Sequence, residues 1–389
     1  MTAMLPVAAV ALTLGLSGMT GVYAAPVPQA VGATVSAAFA PDGALWRATP
    51  MKDGVLVDRS TDLGRTFGTP ARVSRKGERI RAQPEDRPQI AIDRDGNVFV
   101  IYAADARQPW TRFITVSTDR GRSFSTPAAI SAAPERMIQY QPALQARADS
   151  GIDLFWIEED SRGDAGRRGG VMHYRRVDRD RTGPDLILHD AMCECCRLAP
   201  AALPDGTALL LARLLIDGRI RDPGLIGVRA DGSIRPARAV TADHWQIDAC
   251  PESGPALAVS ASGRQHMSWF TQGSRRQGLF YAWSDDNGTT LSAPIPIGMA
   301  GAMPAHSHLA ASGRNVVLAW QQYDGRETSV HVMTSDDDGA SWSVPRQVGT
   351  TGSAADYPFV LTYGGRFYVS WYTGDAGYRL VPLAGADGG

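Results

Sequence analysis

Few features of this 389-residue chain single out a partner by charge alone. Its 39 Lys and Arg residues are offset by 40 Asp and Glu, for a formal net charge of −1. No one-signed field is available to gather a polyanion, so a nucleic-acid partner is not expected. Long apolar runs are missing except at the N-terminus, so no stable membrane span is expected once that segment is removed. Cysteine is scarce, with Cys193, Cys195, Cys196 and Cys250 the full set. Gly (41) and Pro (25) stay below disordered levels, and a hydrophobic content of 44% is ample for a packed core.

Residues 1–25 stand apart. Leu5 to Ala25 is apolar and rich in small residues, ending Val22-Tyr23-Ala24-Ala25 before Pro26. This reads as a secretory signal peptide with a small-residue cleavage site, although no Lys or Arg precedes the apolar run. The expectation is an exported protein, periplasmic or extracellular, whose residues 26–389 form one domain.

The rest of the chain is repetitive. A short apolar stretch breaks at a turn glycine and a second follows at once, at Gly43, Gly96, Gly151, Gly206, Gly263, Gly313 and Gly365. The spacing of 50 to 57 residues is that of small sheets repeated around an axis, each unable to bury its faces alone. Proline marks most first strands, at Pro88, Pro142, Pro200, Pro255 and Pro358, where a missing N–H costs no interior ladder bond. Second strands such as Val98-Phe99-Val100-Ile101-Tyr102 and Phe367-Tyr368-Val369-Ser370-Trp371 are strongly β-prone.

A sharper motif closes four units. It begins Ser60-Thr61-Asp62-Leu63-Gly64 and Ser117-Thr118-Asp119-Arg120-Gly121, then returns as Ser284-Asp285-Asp286-Asn287-Gly288 and Ser335-Asp336-Asp337-Asp338-Gly339. The third-position Asp is placed to accept backbone N–H groups across the turn, and the Gly supplies a left-handed conformation. These carboxylates are read as structural. The motif is an Asp box, and over roughly residues 32–383 the chain resembles the sialidase-like (BNR/Asp-box) β-propeller superfamily. The expected fold is an all-β propeller of seven blades, the alternative being six blades plus an N-terminal unit. The last unit shows three strands, and residues 26–33 could supply its missing edge.

In such a ring the segments before each first strand gather at one mouth, where ligands bind. Here they carry Arg87, Gln141, Cys195 with Arg197, Cys250 with Glu252, His306 with His308, and Tyr357. Arg87, Gln141, Arg197, His306 and Tyr357 are therefore ligand-binding candidates. The resemblance to sialidases implies further roles: Arg87 and Arg197 as carboxylate clamps, Asp105 as acid/base, and Tyr357 as nucleophile activated by Glu252. A third arginine is missing from the equivalent strand starts, which hold Gln141, Gly254 and His306.

The cysteines open two adjacent units, with Cys195 and Cys250 both five residues ahead of a strand proline. One reading is a Cys195–Cys250 disulfide between neighbouring blades in an exported protein. The other is a soft-metal site, copper or zinc, drawn from Cys193, Cys195, Cys196, Cys250, His306 and His308. Three function classes stay open: a propeller binding a small molecule, glycan or soft metal at its mouth; an exo-α-sialidase-type glycoside hydrolase of acidic sugars; and a module contacting a protein of the cell envelope.

Overall fold

The computed structural model describes residues 30–383 apart from 106–110, 161–168 and 180. The leader, and with it the signal-peptide reading, lies outside the described residues.

Seven sheets follow one another along the chain, each antiparallel and laid down in sequence order. Blade 1 is Ser36–Phe39, Leu45–Met51, Gly54–Ser60 and Ala71–Arg72; blade 2 is Gln89–Ile92, Val98–Asp105, Thr111–Ser117 and Ala128–Ala129. Blade 3 is Met137–Ala146, Ile152–Asp160, Gly170–Val177 and Leu186–Met192; blade 4 is Ala199–Ala202, Ala208–Arg213, Pro223–Val228 and Ile234–Ala239. Blade 5 is Ala256–Val259, Gln265–Gln272, Gln277–Ser284 and Ile295–Ile297; blade 6 is Met303–Ser312, Asn315–Tyr323, Thr328–Ser335 and Arg346–Thr351. Blade 7 is Phe359–Tyr363, Arg366–Thr373 and Gly377–Pro382. A further strand, Arg79–Arg81, pairs with the upper end of blade 2's second strand.

The core lies between blades. Each sheet has two apolar faces, and seven hydrophobic clusters occupy the seven joints. Trp156 of blade 3 packs with Phe99 and Ile101 of blade 2, and Trp320 of blade 6 with Tyr281 of blade 5. The seventh joint closes the ring, with Leu45 and Val35 packed against Tyr372 and Tyr378. All seven first strands line a single axial cavity of about 430 Å³.

Residues 26–29 of the segment expected to supply a fourth strand lie outside the described residues. Val31–Ala33 forms a single 3-10 turn, and blade 7 has three strands among the described residues. Asp356, just ahead of blade 7, accepts hydrogen bonds from the Val35 N–H and the Thr34 hydroxyl, each at 3.0 Å. Among the described residues, a buried carboxylate thus fastens the first blade to the last without strand pairing.

The four Asp boxes repeat one hydrogen-bond pattern. In the first, Asp62 Oδ1 accepts the Thr66 N–H (2.9 Å), its Oδ2 accepts the Thr66 hydroxyl (2.6 Å), and Ser60 Oγ accepts the Gly64 N–H (2.8 Å). Asp119, Asp286 and Asp337 repeat these bonds. The two residues after each Asp lie in the left-handed region, as with Arg120 (φ 61°) and Gly121 (φ 78°). The hydrogen bonds hold all four carboxyls down at about 2. They are permanently charged and fully used, which suits a structural clasp.

Candidate functional site at the axial mouth

The segments leading into the first strands meet on the axis, and Glu85 ties them together. Its Oε1 accepts the Arg197 N–H (2.7 Å) from the blade 4 leader and the Gly254 N–H (3.1 Å) from the blade 5 leader. Position 254 needs glycine, because a Cβ there would come within 2.4 Å of the Arg197 carbonyl. Across the mouth, Arg197 Nη2 donates to the Ser307 carbonyl (3.0 Å), at the bulge in blade 6's first strand. His306, one residue before, stacks on Tyr357 of the blade 7 leader with centroids 3.6 Å apart and planes at 9°.

Local backbone geometry delivers these side chains. The ladder of blade 3 slips between Tyr140 and Ala143, and that of blade 6 slips between Ala305 and His308. Such bulges re-aim side chains. Gln141 (φ 43°), Glu252 (φ 43°) and His306 (φ 49°) all lie in the left-handed region without being glycine. Strain of this kind persists where the surrounding fold holds it for a purpose. Pro142 sits inside the blade 3 bulge, a place where its missing N–H is tolerated.

Several buried polar atoms here have no partner: Glu85 Oε2, Arg197 Nη1, His306 Nδ1 and Ser253 Oγ. Glu85 Oε2 and His306 Nδ1 face each other across 4.0 Å, too far for a hydrogen bond. Burial pushes the Glu85 carboxyl up to about 7, with Arg197 opposing. Burial pushes His306 down to about 3, helped by Arg197 and Arg87, so its ring is neutral. His308 is also held near 3, and its Nδ1 accepts the Val360 N–H at 3.2 Å. Tyr357 is pushed well above the ordinary phenol range by burial, with Glu85 and then Glu252 adding their charge. Arg197, His308 and Phe359 are among the residues that line the axial cavity.

The expected site residues fare unequally. Arg197, His306 and Tyr357 come together with Glu85, and Gln141 donates from Nε2 to the Cys195 carbonyl (3.3 Å) at the same level. Glu252 is exposed but close enough to act on Tyr357. Arg87 is not free to clamp a ligand. Its guanidinium makes a two-pronged, fully buried pair with Asp356 (2.9 and 2.6 Å) and donates again to the Pro84 carbonyl. Asp105 is bound two-pronged by Arg81 (2.7 and 3.0 Å), which holds its carboxyl below the usual range and removes it from acid duty near neutrality.

The cysteine readings are also revised. All four thiols are free, so the Cys195–Cys250 bridge is not formed. Cys250 is exposed, whereas Cys193, Cys195 and Cys196 share one tight turn with their sulfurs within 4.8 Å of one another. Cys250, His306 and His308 fall outside this group among the described residues, and His308 Nδ1 is already taken by the Val360 N–H.

Glu85 was missed by sequence reasoning. Its signal was the charged run Glu85-Asp86-Arg87 directly ahead of an apolar strand. Asp86 is buried in an ion pair with Arg112. Three consecutive charges at such a position mark a buried network better than a solvated loop.

No family model matches the chain, and no curated protein matches it. Solved structures do. A polysaccharide lyase described as PL25 ulvan lyase, bound to a GlcA(1-4)Rha3S unit, shares 11% identity at a TM-score of 0.56, over 93% of this chain and 94% of that one. Polysaccharide lyase Uly1 shares 11% at 0.55, over 95% and 94%. The Hadza microbial sialidase Hz136 shares 13% at 0.53, over 88% and 73%. The chain is a seven-bladed β-propeller, and at these identities the likeness to these proteins is one of fold.

Proposed function

We propose that this propeller binds an acidic saccharide at its axial mouth. The observation that carries the reading is the convergence of unpartnered buried atoms from three blades: Arg197 Nη1, Glu85 Oε2 and His306 Nδ1. Burying a polar group without a partner costs free energy, so such a cluster calls for an occupant. The complement is a molecule with an anionic acceptor for the guanidinium and hydroxyls for the carboxyl and imidazole. A sugar acid has both. A guanidinium pairs with a carboxylate through charge-assisted bonds, and Arg197 supplies the free N–H. The partly exposed His306–Tyr357 stack beside it offers a flat wall. Proteins of the same fold are described as a sialidase and as a lyase bound to a glucuronate-containing unit, which supports this ligand class.

Binding is favoured over hydrolysis. Two of the residues an exo-α-sialidase would need, Arg87 and Asp105, are locked in ion pairs with Asp356 and Arg81. An exported location, expected from the leader, is part of the same proposal, and N-terminal sequencing of the mature protein tests it.

The functional test is calorimetric titration with glucuronate-, galacturonate- and sialate-containing oligosaccharides against their neutral counterparts. The expected result is binding selective for at least one acidic member, weakened at least about tenfold in Arg197→Gln, as befits loss of a charged hydrogen bond. No binding by any member, or equal binding of acidic and neutral ligands, overturns the reading.

A further inference from the structure

The three-cysteine turn takes no part in the saccharide reading, yet it is the densest group of ligating atoms among the described residues. It runs from the end of blade 3's outer strand at Met192 to the start of blade 4 at Ala199. The turn is pinned from both sides. The Cys193 N–H donates to the Arg213 carbonyl (3.0 Å), the Leu215 N–H donates to the Ala191 carbonyl (2.8 Å), and Gln141 holds the Cys195 carbonyl. Cys193 and Cys196 are buried, and Cys195 is partly exposed.

Cys193 Sγ lies 3.6 Å from both Cys195 Sγ and Cys196 Sγ. Three thiolates around one ion at about 2.3 Å stand about 4.0 Å apart in a trigonal plane. Cys193 therefore already sits near ligand spacing from both neighbours, with all three sulfurs within 4.8 Å of one another. A disulfide needs about 2.05 Å and would leave the third thiol over.

We propose that Cys193, Cys195 and Cys196 form a three-thiolate site for a soft monovalent cation, Cu(I).

The choice of cation follows from ligand number and charge. Thiolates select soft ions, Cu(I) and zinc among them. Zinc is held by four ligands, and a structural zinc site closes all four with protein groups. Here three sulfurs gather, and the fourth cysteine, Cys250, is exposed elsewhere. Three thiolates around a monovalent ion leave two negative charges. Two arginines answer them: Arg221 Nη1 donates to Cys193 Sγ at 3.3 Å, and Arg213 acts on both Cys193 and Cys196 through its charge. Both guanidinia are fixed by backbone carbonyls, Arg221 by that of Ile247 and Arg213 by those of Ser253 and Phe270. The positive environment is therefore built into the fold. It also fits binding to a preformed site, with little folding required.

The experiment uses the full chain, reduced and handled without oxygen, titrated with Cu(I) in competition with a chromophoric Cu(I) chelator. One ion per chain is expected. Cys193→Ser and Cys196→Ser should each weaken binding by at least about 100-fold, and Arg221→Ala by about 10–100-fold as an outer-shell change. Cys250→Ser should match the parent. Copper X-ray absorption on the unmutated protein, which does not depend on any variant folding, should show three sulfurs near about 2.3 Å. The proposal is overturned by absence of a stoichiometric ion, by nitrogen or oxygen dominating the coordination, or by equal loss in Cys250→Ser. It is also overturned if Zn(II) binds more tightly than Cu(I), or if thiol counting after blocked isolation finds a Cys193–Cys196 disulfide. Saccharide titration of the same variants keeps the two sites separable, since Cys193→Ser leaves Arg197 and His306 in place.

Discussion

The two faces of the disc use charge in opposite ways. On the Asp-box face, four carboxylates make the same local bonds four times, each to residues within four positions in sequence. At the mouth, no two leaders are alike. Charged groups are buried, joined across the ring, and left with polar atoms unpaired. Repetition with full satisfaction marks a device for folding each module. Asymmetry with unpaired buried atoms marks a place kept for something else.

The largest break in this comparison should come from the closure carboxylate. Asp356→Ala leaves Arg87 buried without its partner and frees the Thr34–Val35 clasp. Urea unfolding is expected to show a loss of about 3–5 kcal/mol, the range for orphaning one member of a buried pair. Asp62→Ala on the opposite face removes exposed local bonds and should shift the midpoint far less. Equal losses would erase the distinction between ring closure and module clasp.

How much of this was legible in the sequence follows from the same contrast. The glycine period and the Ser-x-Asp-x-Gly turns are local patterns, and they name blades and boxes directly. The convergence of leaders was legible once the ring was inferred, which is how Arg197, His306 and Tyr357 came to one candidate list. Pairings across the ring were not legible. Nothing near Arg87 shows that Asp356, 269 residues away, consumes its guanidinium. The turn after Met192 draws Cys193 to Cys195 and Cys196, its own neighbours, leaving Cys250 aside, and spacing relative to strand prolines cannot show that.

Acid titration sharpens the comparison further. His306 and His308 at the mouth sit near 3, below their ordinary 6.5, while His266, beside Asp338 on the other face, sits near 4. The unfolded chain therefore takes up their protons first, and stability falls as pH drops from 6.5 toward 3. Glu85 acts the other way. Raised to about 7, it binds its proton before the unfolded chain does, adding stability as pH falls from 7 toward 4.5. Burial also lowers His173, His189 and His331 and raises Glu194. Six histidines against two glutamates give a net loss on acidification, opposed in part by the raised, buried Asp86, Asp153 and Asp356. The Asp-box carboxyls, at about 2, contribute only below 3.8. Unfolding midpoints across pH 7 to 4 should decline, and His308→Asn, which retains an acceptor for the Val360 N–H, should flatten that decline. A rising midpoint over this interval would contradict the assignment.

The most direct test of the central claim is paired unfolding and saccharide titration of His306→Phe. The substitution preserves a flat ring against Tyr357 and deletes the unpartnered Nδ1 facing Glu85. If the mouth's unpaired atoms serve a ligand, the variant unfolds at the same denaturant concentration as the parent or higher, and its affinity for the acidic saccharide falls. A clear loss of stability with affinity unchanged would contradict the account.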